Sequence, residues 1–477
     1  MVARKDFHVF SKDGQSYLFL TQPVSVFKVD AATGVVLRKA EAGEELDSAS
    51  EQRWRETEAF MDNYCRKAPP AKMLRGPEDI TAKVSGIYLF VSQECNLKCA
   101  YCYGGEGEYG KRGRMSEQTM TQALQTFFSK GEGHHFLIFF GGEPLMNFPL
   151  MKKTAALGEI YRKEGMADIG LGIVTNGTFC NDEIKQFFDD HIVDATFSLD
   201  GPGELNDAQR ISKNGSSVFA AAEENIRKLT AGNTFNWGFR SIVTSAGHDR
   251  VSEIYDALDG FKPGGIGIVN VDAPEGDPLY LDDEQYRRFV TQITEINRKG
   301  LRSFIEGQQA VAFEYPFYVM FHFVSRSHAL YHCNAGSNLL AVTAEGDVYP
   351  CHRFVGEEAF KMGNVADPGL RETPRFMAIR QQFIDSTVDR REGCRDCWAR
   401  YLCGGACAKY SYTEHGDINP PVERHCYYMK TVIEEILPDI ISVVSDPEMR
   451  RTLTMRLKNA VSNRRDSRTV DPSAHAS

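Results

Sequence analysis

Between Val84 and Asp272 the chain repeats one alternation six times. Short apolar runs (SGIYLFV, HFLIFF, LGIVT, DATFSLD, FRSIVTS and GIGIVNV) alternate with amphipathic stretches such as SEQTMTQALQTFF and NDEIKQFFDDH. Each run is strand-sized, and the stretches between them space their apolar residues as a helix does. Six strand–helix repeats require a parallel sheet with right-handed crossovers. The sheet is either doubly wound or a barrel. In both, functional loops leave the carboxyl ends of the strands.

The remaining chain divides around that block. At 477 residues, roughly two to four domains are expected. The first 75 or so residues read as a separate unit. DFHVFSKDGQSYLFLTQPVSVFKVD alternates like a β-hairpin about a DG turn, and DSASEQRWRETEAFMDNYC reads as a helix capped by Asp47 or Ser48. RKAPPAKMLRGPED is rich in proline and charge, as linkers are. Residues 280–330 read as helical and aromatic-rich. From about 441 the chain is expected to become a basic, then polar tail.

Composition excludes some functions. A net charge of −10 argues against a general nucleic-acid binder. No apolar run approaches the ~20 residues of a membrane-crossing helix. MVARKDFHVFSKDG lacks the apolar region of a signal peptide, so a cytoplasmic location is expected. In that reducing setting, twelve cysteines point to metal rather than disulfides. Ten of them fall into two clusters, and only Cys65 and Cys180 stand alone.

The first cluster is CNLKCAYC, with Cys95, Cys99 and Cys102. Structural zinc wants four ligands, usually as two CxxC pairs, and only one pair is present. An iron–sulfur cube takes one terminal thiolate per iron, so three thiolates leave one iron open to another ligand. Cx3Cx2C with an aromatic residue, Tyr101, before its last cysteine resembles the cluster motif of the radical S-adenosylmethionine (SAM) enzymes. The resemblance implies a partial (β/α)6 barrel. It also implies a [4Fe–4S] cluster on Cys95, Cys99 and Cys102, with SAM chelated at the open iron. Strand ends in the family's order extend the likeness. FFGGEPLM carries Gly141, Gly142 and Glu143, VTNGTF carries Thr175 and Asn176, and FSLDGP carries Ser198 and Asp200. The glycine pair would let backbone approach a ligand. By the resemblance Glu143 accepts from the SAM amine, Thr175 and Asn176 lie near its ribose, Ser198 and Asp200 face the ligand, and Arg210 pairs with its carboxylate.

The second cluster, Cys333, Cys351, Cys394, Cys397, Cys403, Cys407 and Cys426, resembles the SPASM extension of peptide-modifying radical SAM enzymes, CRDCWARYLCGGAC included. By the family's assignment Cys394, Cys397, Cys403 and Cys426 close one auxiliary [4Fe–4S] cluster, and Cys333, Cys351 and Cys407 hold another. Sulfatase-maturing relatives place a further cysteine soon after the first of these; NAGSNLLAV has none. The second auxiliary cluster is therefore expected to keep an open iron, unless His352 or Cys180 fills it. Position 352 carries histidine where those relatives carry a carboxylate.

The expected organisation is a winged-helix-like peptide-recognition module at 1–75, a radical SAM core at 80–310, a SPASM domain at 325–440 and a tail at 441–477. The implied cofactors are SAM and three [4Fe–4S] clusters. The implied partners are a cysteine-containing peptide or small protein and a flavodoxin- or ferredoxin-type reductant, without nucleic acid or membrane. Length, module and SPASM spacing are most similar to the maturation enzymes of quinohemoprotein amine dehydrogenase, which join cysteine sulfur to Asp or Glu side-chain carbons. Two rivals are a formylglycine-generating sulfatase maturase and a non-enzymatic electron-transfer or zinc-scaffold protein.

Overall fold

In the computed structural model, which describes residues 6–73, 84–128, 134–307 and 314–466, all six apolar runs are strands. Three strands precede them: β1 (Phe7–Lys12), β2 (Gln15–Leu20) and β3 (Ser25–Val29), with a two-residue β4 (Lys72–Met73). The six are β5 (Gly86–Ser92), β6 (His134–Gly141), β7 (Asp168–Thr175), β8 (Ile192–Ser198), β9 (Asn236–Val243) and β10 (Gly265–Asn270). They lie in the order 10-9-8-7-6-5, every pair parallel. A doubly wound sheet reverses its order at a switch point. Here each strand adds on the same side as the last, which is the progression of a barrel wall.

The sheet continues past β5. After a two-residue β11 (Ser327–His328) paired with β4, strand β12 (Leu339–Val342) docks parallel to β5, and β13 (Asp347–Tyr349) and β14 (Gly363–Asn364) add antiparallel. β5 is thus an interior strand, and all seven of its residues are buried. That explains why GIYLFV reads as an unbroken apolar run rather than an alternating one. The cysteine-rich region is built onto the barrel sheet through β12.

The N-terminal strands form an antiparallel sheet in the order β1-β2-β3. Its residues alternate between two cores, as a period of two requires. Phe7, Val9, Leu18 and Leu20 face a small core with Leu37 and Met61, against which Cys65 packs. Phe10, Tyr17 and Phe19 join the main core. Asp47 caps the helix Ser48–Lys67, accepting from the Ser50 amide at 2.8 Å. A further helix, Ala31–Ala42, was not apparent from sequence. Its first turns hold Thr33, Gly34, Val35 and Val36, all weak helix formers. Asp30 caps it through the Thr33 amide and hydroxyl, and Gly43 ends it in the left-handed conformation. Gly34 is needed for contact, since a Cβ there would sit 2.5 Å from Ser16 Oγ on β2.

This unit is tied to the rest by polar contacts. His8 bridges Glu41 at 2.7 Å and Glu434 at 3.0 Å while stacking on Trp398 at 4.0 Å, and Arg400 reaches Asp6 at 2.7 Å. Of the expected linker, Lys72 and Met73 form β4, and residues 74–79 lie outside the described residues. The helical expectation for residues 280–330 corresponds to helices Asp283–Glu306 and Glu314–Ser325. The basic stretch after Asp446 begins as a helix of its own, Pro447–Asp466. Helix Glu423–Val444 runs past residue 441, with Ile433, Ile436, Leu437, Ile440 and Ile441 buried along one stripe. Among the described residues no helix is long and apolar enough to cross a membrane.

Candidate active site

Cys95, Cys99 and Cys102 follow β5 at the carboxyl end of the barrel. The loop is held by its backbone. Lys98 and Ala100 amides donate to the carbonyls of Ile211 and Gln209, both at 2.8 Å, and the Leu97 amide donates to Cys95 Sγ at 3.4 Å. The three thiols share one environment. Burial pushes the Cys95 thiol up to about 12, and the charges of Glu143, Cys99 and Cys102 add to the shift. Cys99 is raised by burial as well. Free thiolates are disfavoured there, whereas thiolates bound to a cationic metal centre are not.

The glycine pair serves this loop directly. Gly141 has φ +132°, and a Cβ there would lie 2.0 Å from the Ser92 carbonyl oxygen. A Cβ on Gly142 would lie 2.3 Å from the Glu94 carbonyl. The amides of Gly142 and Glu143 donate to those two carbonyls at 2.8 Å. The close approach expected towards a ligand is therefore also, and first, an approach to the cysteine loop's own backbone.

Glu143 lies deeper than the glycine pair beside it. Its carboxylate is wholly buried and does not line the cavity. It accepts from the Leu145 amide (3.1 Å), the Thr175 hydroxyl (2.8 Å) and the Asn176 amide (2.8 Å). Burial raises it to about 7, even though these donors favour its charge. Through these donors it joins the ends of β6 and β7. Asn176 in turn donates to Asn96 in the cysteine loop at 3.0 Å and lies 3.9 Å from Cys95 Sγ.

Asp200 and Arg210 are brought together as a buried pair. Arg210 Nη2 donates to Asp200 Oδ1 at 3.0 Å, and Nε lies 3.0 Å from Oδ2. Asp200 also accepts from the Tyr101 hydroxyl at 2.5 Å and the Ile242 amide at 2.9 Å. Asp200, expected to face a ligand, is fully buried behind Arg210. Arg210, Tyr101, Ser198, Thr175 and Asn176 all line the cavity.

That cavity, about 260 Å³, opens over the strand ends. It runs from the three cysteines, past Gly141 and Gly142, to His352, Arg353 and Tyr410 of the cysteine-rich region. Several lining residues escaped the sequence reading: Tyr88, Tyr103, Arg240, Asp272, Arg353 and Tyr410. One signal was available. Arg240 interrupts the apolar run FRSIVTS, where a buried charge needs a reason.

The remaining cysteines resolve into two groups by mutual influence. Burial lifts Cys351 to about 12, followed by the charges of Cys407 and Cys333. Burial lifts Cys403 well above its ordinary value, followed by Cys397, Cys426 and Cys394. Cys426 rises to about 11 through burial, Cys397 and Cys394. Cys333, Cys351 and Cys407 act on one another, and so do Cys394, Cys397, Cys403 and Cys426. Among the described residues no three His, Cys, Asp or Glu side chains converge on one metal ion. A cube binds its thiolates at separate irons, so its ligands need not converge on a point.

All twelve cysteines lie within the described residues, which locates the two lone ones. Cys180 is half-buried beside Lys228, Asp182, Lys185 and Glu224, on the helices flanking β7 and β8. It is not in the environment of Cys333, Cys351 or Cys407, so its candidacy as a fourth ligand fails. Cys65 belongs to the N-terminal core. His352, the other candidate, packs its ring against Tyr88 at 4.4 Å and Phe140 at 4.9 Å beside the cavity.

Comparison with known proteins agrees with this geometry. The radical SAM superfamily profile matches residues 89–253, and that of the SPASM iron–sulfur cluster-binding domain matches 333–398. The chain carries a radical SAM domain followed by a SPASM domain. It is a radical SAM enzyme. Its radical SAM domain binds SAM and a [4Fe–4S] cluster, and its SPASM domain binds auxiliary iron–sulfur clusters. A similar protein is the cysteine-type anaerobic sulfatase-maturating enzyme of Clostridium perfringens strain 13. It is 22% identical over 371 residues, covering 74% of this chain and 96% of the relative. The structure of native anSMEcpe with bound AdoMet and Cp18Cys peptide superposes with a TM-score of 0.65 at 20% identity, covering 76% and 98% of the two chains. Streptococcus suis SuiB bound to S-adenosylmethionine gives 0.51 at 14% identity, covering 88% and 98%. These superpositions speak to the fold.

Proposed function

We propose that this radical SAM–SPASM enzyme is a peptide maturase that joins a cysteine sulfur to a side-chain carbon of Asp or Glu in a ribosomally made polypeptide. The observation that carries the reading is the three-member thiol group Cys333, Cys351 and Cys407, with both lone cysteines packed elsewhere. Three thiolates would leave one position for a sulfur that the protein does not supply.

Cys95, Cys99 and Cys102 would hold the SAM-binding cluster, and Cys394, Cys397, Cys403 and Cys426 the four-ligand auxiliary one. When bound, the first cluster supplies the electron that splits SAM into methionine and a 5′-deoxyadenosyl radical, and a three-thiolate auxiliary cluster supplies an iron open to sulfur. The protein's own share is placement. Asp200 holds one edge of Arg210, leaving the other edge for the SAM carboxylate. Glu143 fixes the β6 and β7 ends so that Thr175 and Asn176 face the nucleoside. Buried Tyr88, on which the Cys351 charge acts, and Phe140 would keep water from that side of the cavity.

The test is mass spectrometry of a cysteine-rich peptide encoded nearby and co-expressed with the enzyme. The expected result is loss of two hydrogens per link, with loss of the corresponding free thiol. A second reading, formylglycine formation, is favoured by the likeness to the Clostridium perfringens maturase. It requires an aldehyde at a single side chain and no link. His352 in place of a carboxylate beside Cys351 weighs against it.

A further inference from the structure

The run CGGAC carries a thiol of each auxiliary group, Cys403 of the four-member one and Cys407 of the three-member one. A single side chain packs into it. Arg391 Nη1 donates to the Ala406 carbonyl at 3.0 Å. Gly405, at φ +90°, leaves room for that approach, since a Cβ there would lie 2.5 Å from Arg391 Nη1. The Gly405 carbonyl accepts from His425 Nε2 at 3.2 Å. Arg391 Nε donates to the Ser386 hydroxyl at 3.1 Å, and Nη2 to the Ile418 carbonyl. Every one of these acceptors of Arg391 is neutral.

Its hydrogen bonds are therefore accounted for, and its charge is not. Arg391 is only 3% exposed. Arg210, Arg353 and Arg400 are buried too, and each has a carboxylate beside it, Asp200, Asp272 and Asp6 respectively. Among the described residues no carboxylate forms an ion pair with Arg391. Burial lowers its pKa, and the charges that work against this are those of Cys394, Cys407, Cys403 and Cys333, two from each auxiliary group. A guanidinium does not give up its proton inside a protein. Beside neutral thiols it would be a lone buried cation, held at substantial cost. Beside thiolates that carry iron–sulfur clusters, the same charge has partners on both sides.

We infer that Arg391 is a counter-cation shared by the two auxiliary clusters, and that it makes both of them easier to reduce. The inference rests on the division of the seven cysteines between two clusters, and is independent of the thioether reading. A cluster's potential follows its net charge and the hydrogen bonds around its sulfurs. An electron added to either cluster adds negative charge near the guanidinium, so losing the cation disfavours both reductions. Arg391 touches no substrate. It is a positioning residue that acts through the clusters and through the run that joins them.

The test uses anaerobically reconstituted full-length protein with Cys95, Cys99 and Cys102 replaced by alanine, so that only the auxiliary clusters are read. Iron and sulfide are counted. The midpoint of each cluster's one-electron reduction is then read by titration with dithionite, followed by electron paramagnetic resonance. Arg391→Gln is expected to disfavour reduction of both clusters about tenfold, a fall of about 59 mV in each midpoint. Arg391→Lys keeps the charge and is expected to stay within about threefold of the parent protein. If Arg391→Gln fails to take up both clusters, the lysine variant decides. Full iron content with lysine supports the charge, whereas loss in both variants assigns the role to the carbonyl hydrogen bonds and overturns the inference. Unchanged midpoints in Arg391→Gln overturn it too, as do equal shifts in the two variants or a shift or loss confined to one cluster. A parent protein that takes up only one auxiliary cluster overturns it through the division of the cysteines, which the iron count shows before any potential is measured.

Discussion

The first thiol set and the auxiliary sets are built in opposite ways. Cys95, Cys99 and Cys102 sit on one loop, and backbone hydrogen bonds to Gln209 and Ile211 shape that loop. The auxiliary groups collect thiols from positions as distant as Cys333 and Cys407, or Cys394 and Cys426. Little regular structure lies between them apart from short strands, single turns and short helices. A local loop on a finished barrel does not need its metal to keep its shape. A region that gathers seven cysteines from separate turns and helix ends would draw part of its folding free energy from the clusters.

The largest expected effect follows from that contrast. Cys403→Ala should remove an auxiliary cluster and leave little soluble protein, with several kcal/mol of folding free energy lost. Cys99→Ala should abolish SAM cleavage while changing the melting temperature far less. Calorimetry with iron analysis of both variants checks the difference; equal melting losses would break the comparison.

Next is Asp200→Ala. It leaves the buried Arg210 without its partner and the Tyr101 hydroxyl without its acceptor, at a cost of about 3–5 kcal/mol. Urea unfolding should show the loss, and SAM affinity should fall with it. A smaller effect is expected at Gly141→Ala, about 3 kcal/mol, from the clash with the Ser92 carbonyl and from a backbone angle other residues avoid. Its melting temperature should drop even in protein without clusters, because the contact is backbone to backbone.

The smallest effect lies at the seam between the N-terminal unit and the SPASM region. Burial opposes a charge on His8, but the hydrogen bonds its ring donates to the Glu41 and Glu434 carboxylates, with their charges, outweigh it and raise its pKa above 6.5. The stabilisation is then complete below the unfolded value of about 6.5 and is lost as pH rises through the higher folded value. Glu434 is more than a third exposed, so about 1 kcal/mol is expected. His8→Gln should lower the melting temperature at pH 6 and have a much smaller effect at pH 9. An equal loss at both values would assign the contribution to stacking on Trp398.

The same contrast explains what could be read from sequence. The barrel strands were legible because β5, β6 and β7, buried on both faces, write continuous apolar runs, and β8 and β9 alternate with a period of two. The first cysteine set was legible because its spacing is local. Helix Ala31–Ala42 was hidden by its own poor propensity and is secured by the Asp30 cap and the Gly34–Ser16 contact. The role of Glu143 was hidden because its three donors come from two different strand ends. Arg353 and Asp272 meet across 81 residues, and no spacing rule links them.

One measurement tests the division of labour most directly: 5′-deoxyadenosine and peptide mass, assayed together under strong anaerobic reduction, in two triple variants. Replacing Cys95, Cys99 and Cys102 by alanine should eliminate 5′-deoxyadenosine. Replacing Cys333, Cys351 and Cys407 should lower the yield of soluble protein, but the soluble fraction, compared per SAM-binding cluster, should still form 5′-deoxyadenosine and no cross-linked peptide. Formation of 5′-deoxyadenosine by the first variant, or normal cross-linking by the second, would contradict the assignment of radical generation to one set and sulfur placement to the other.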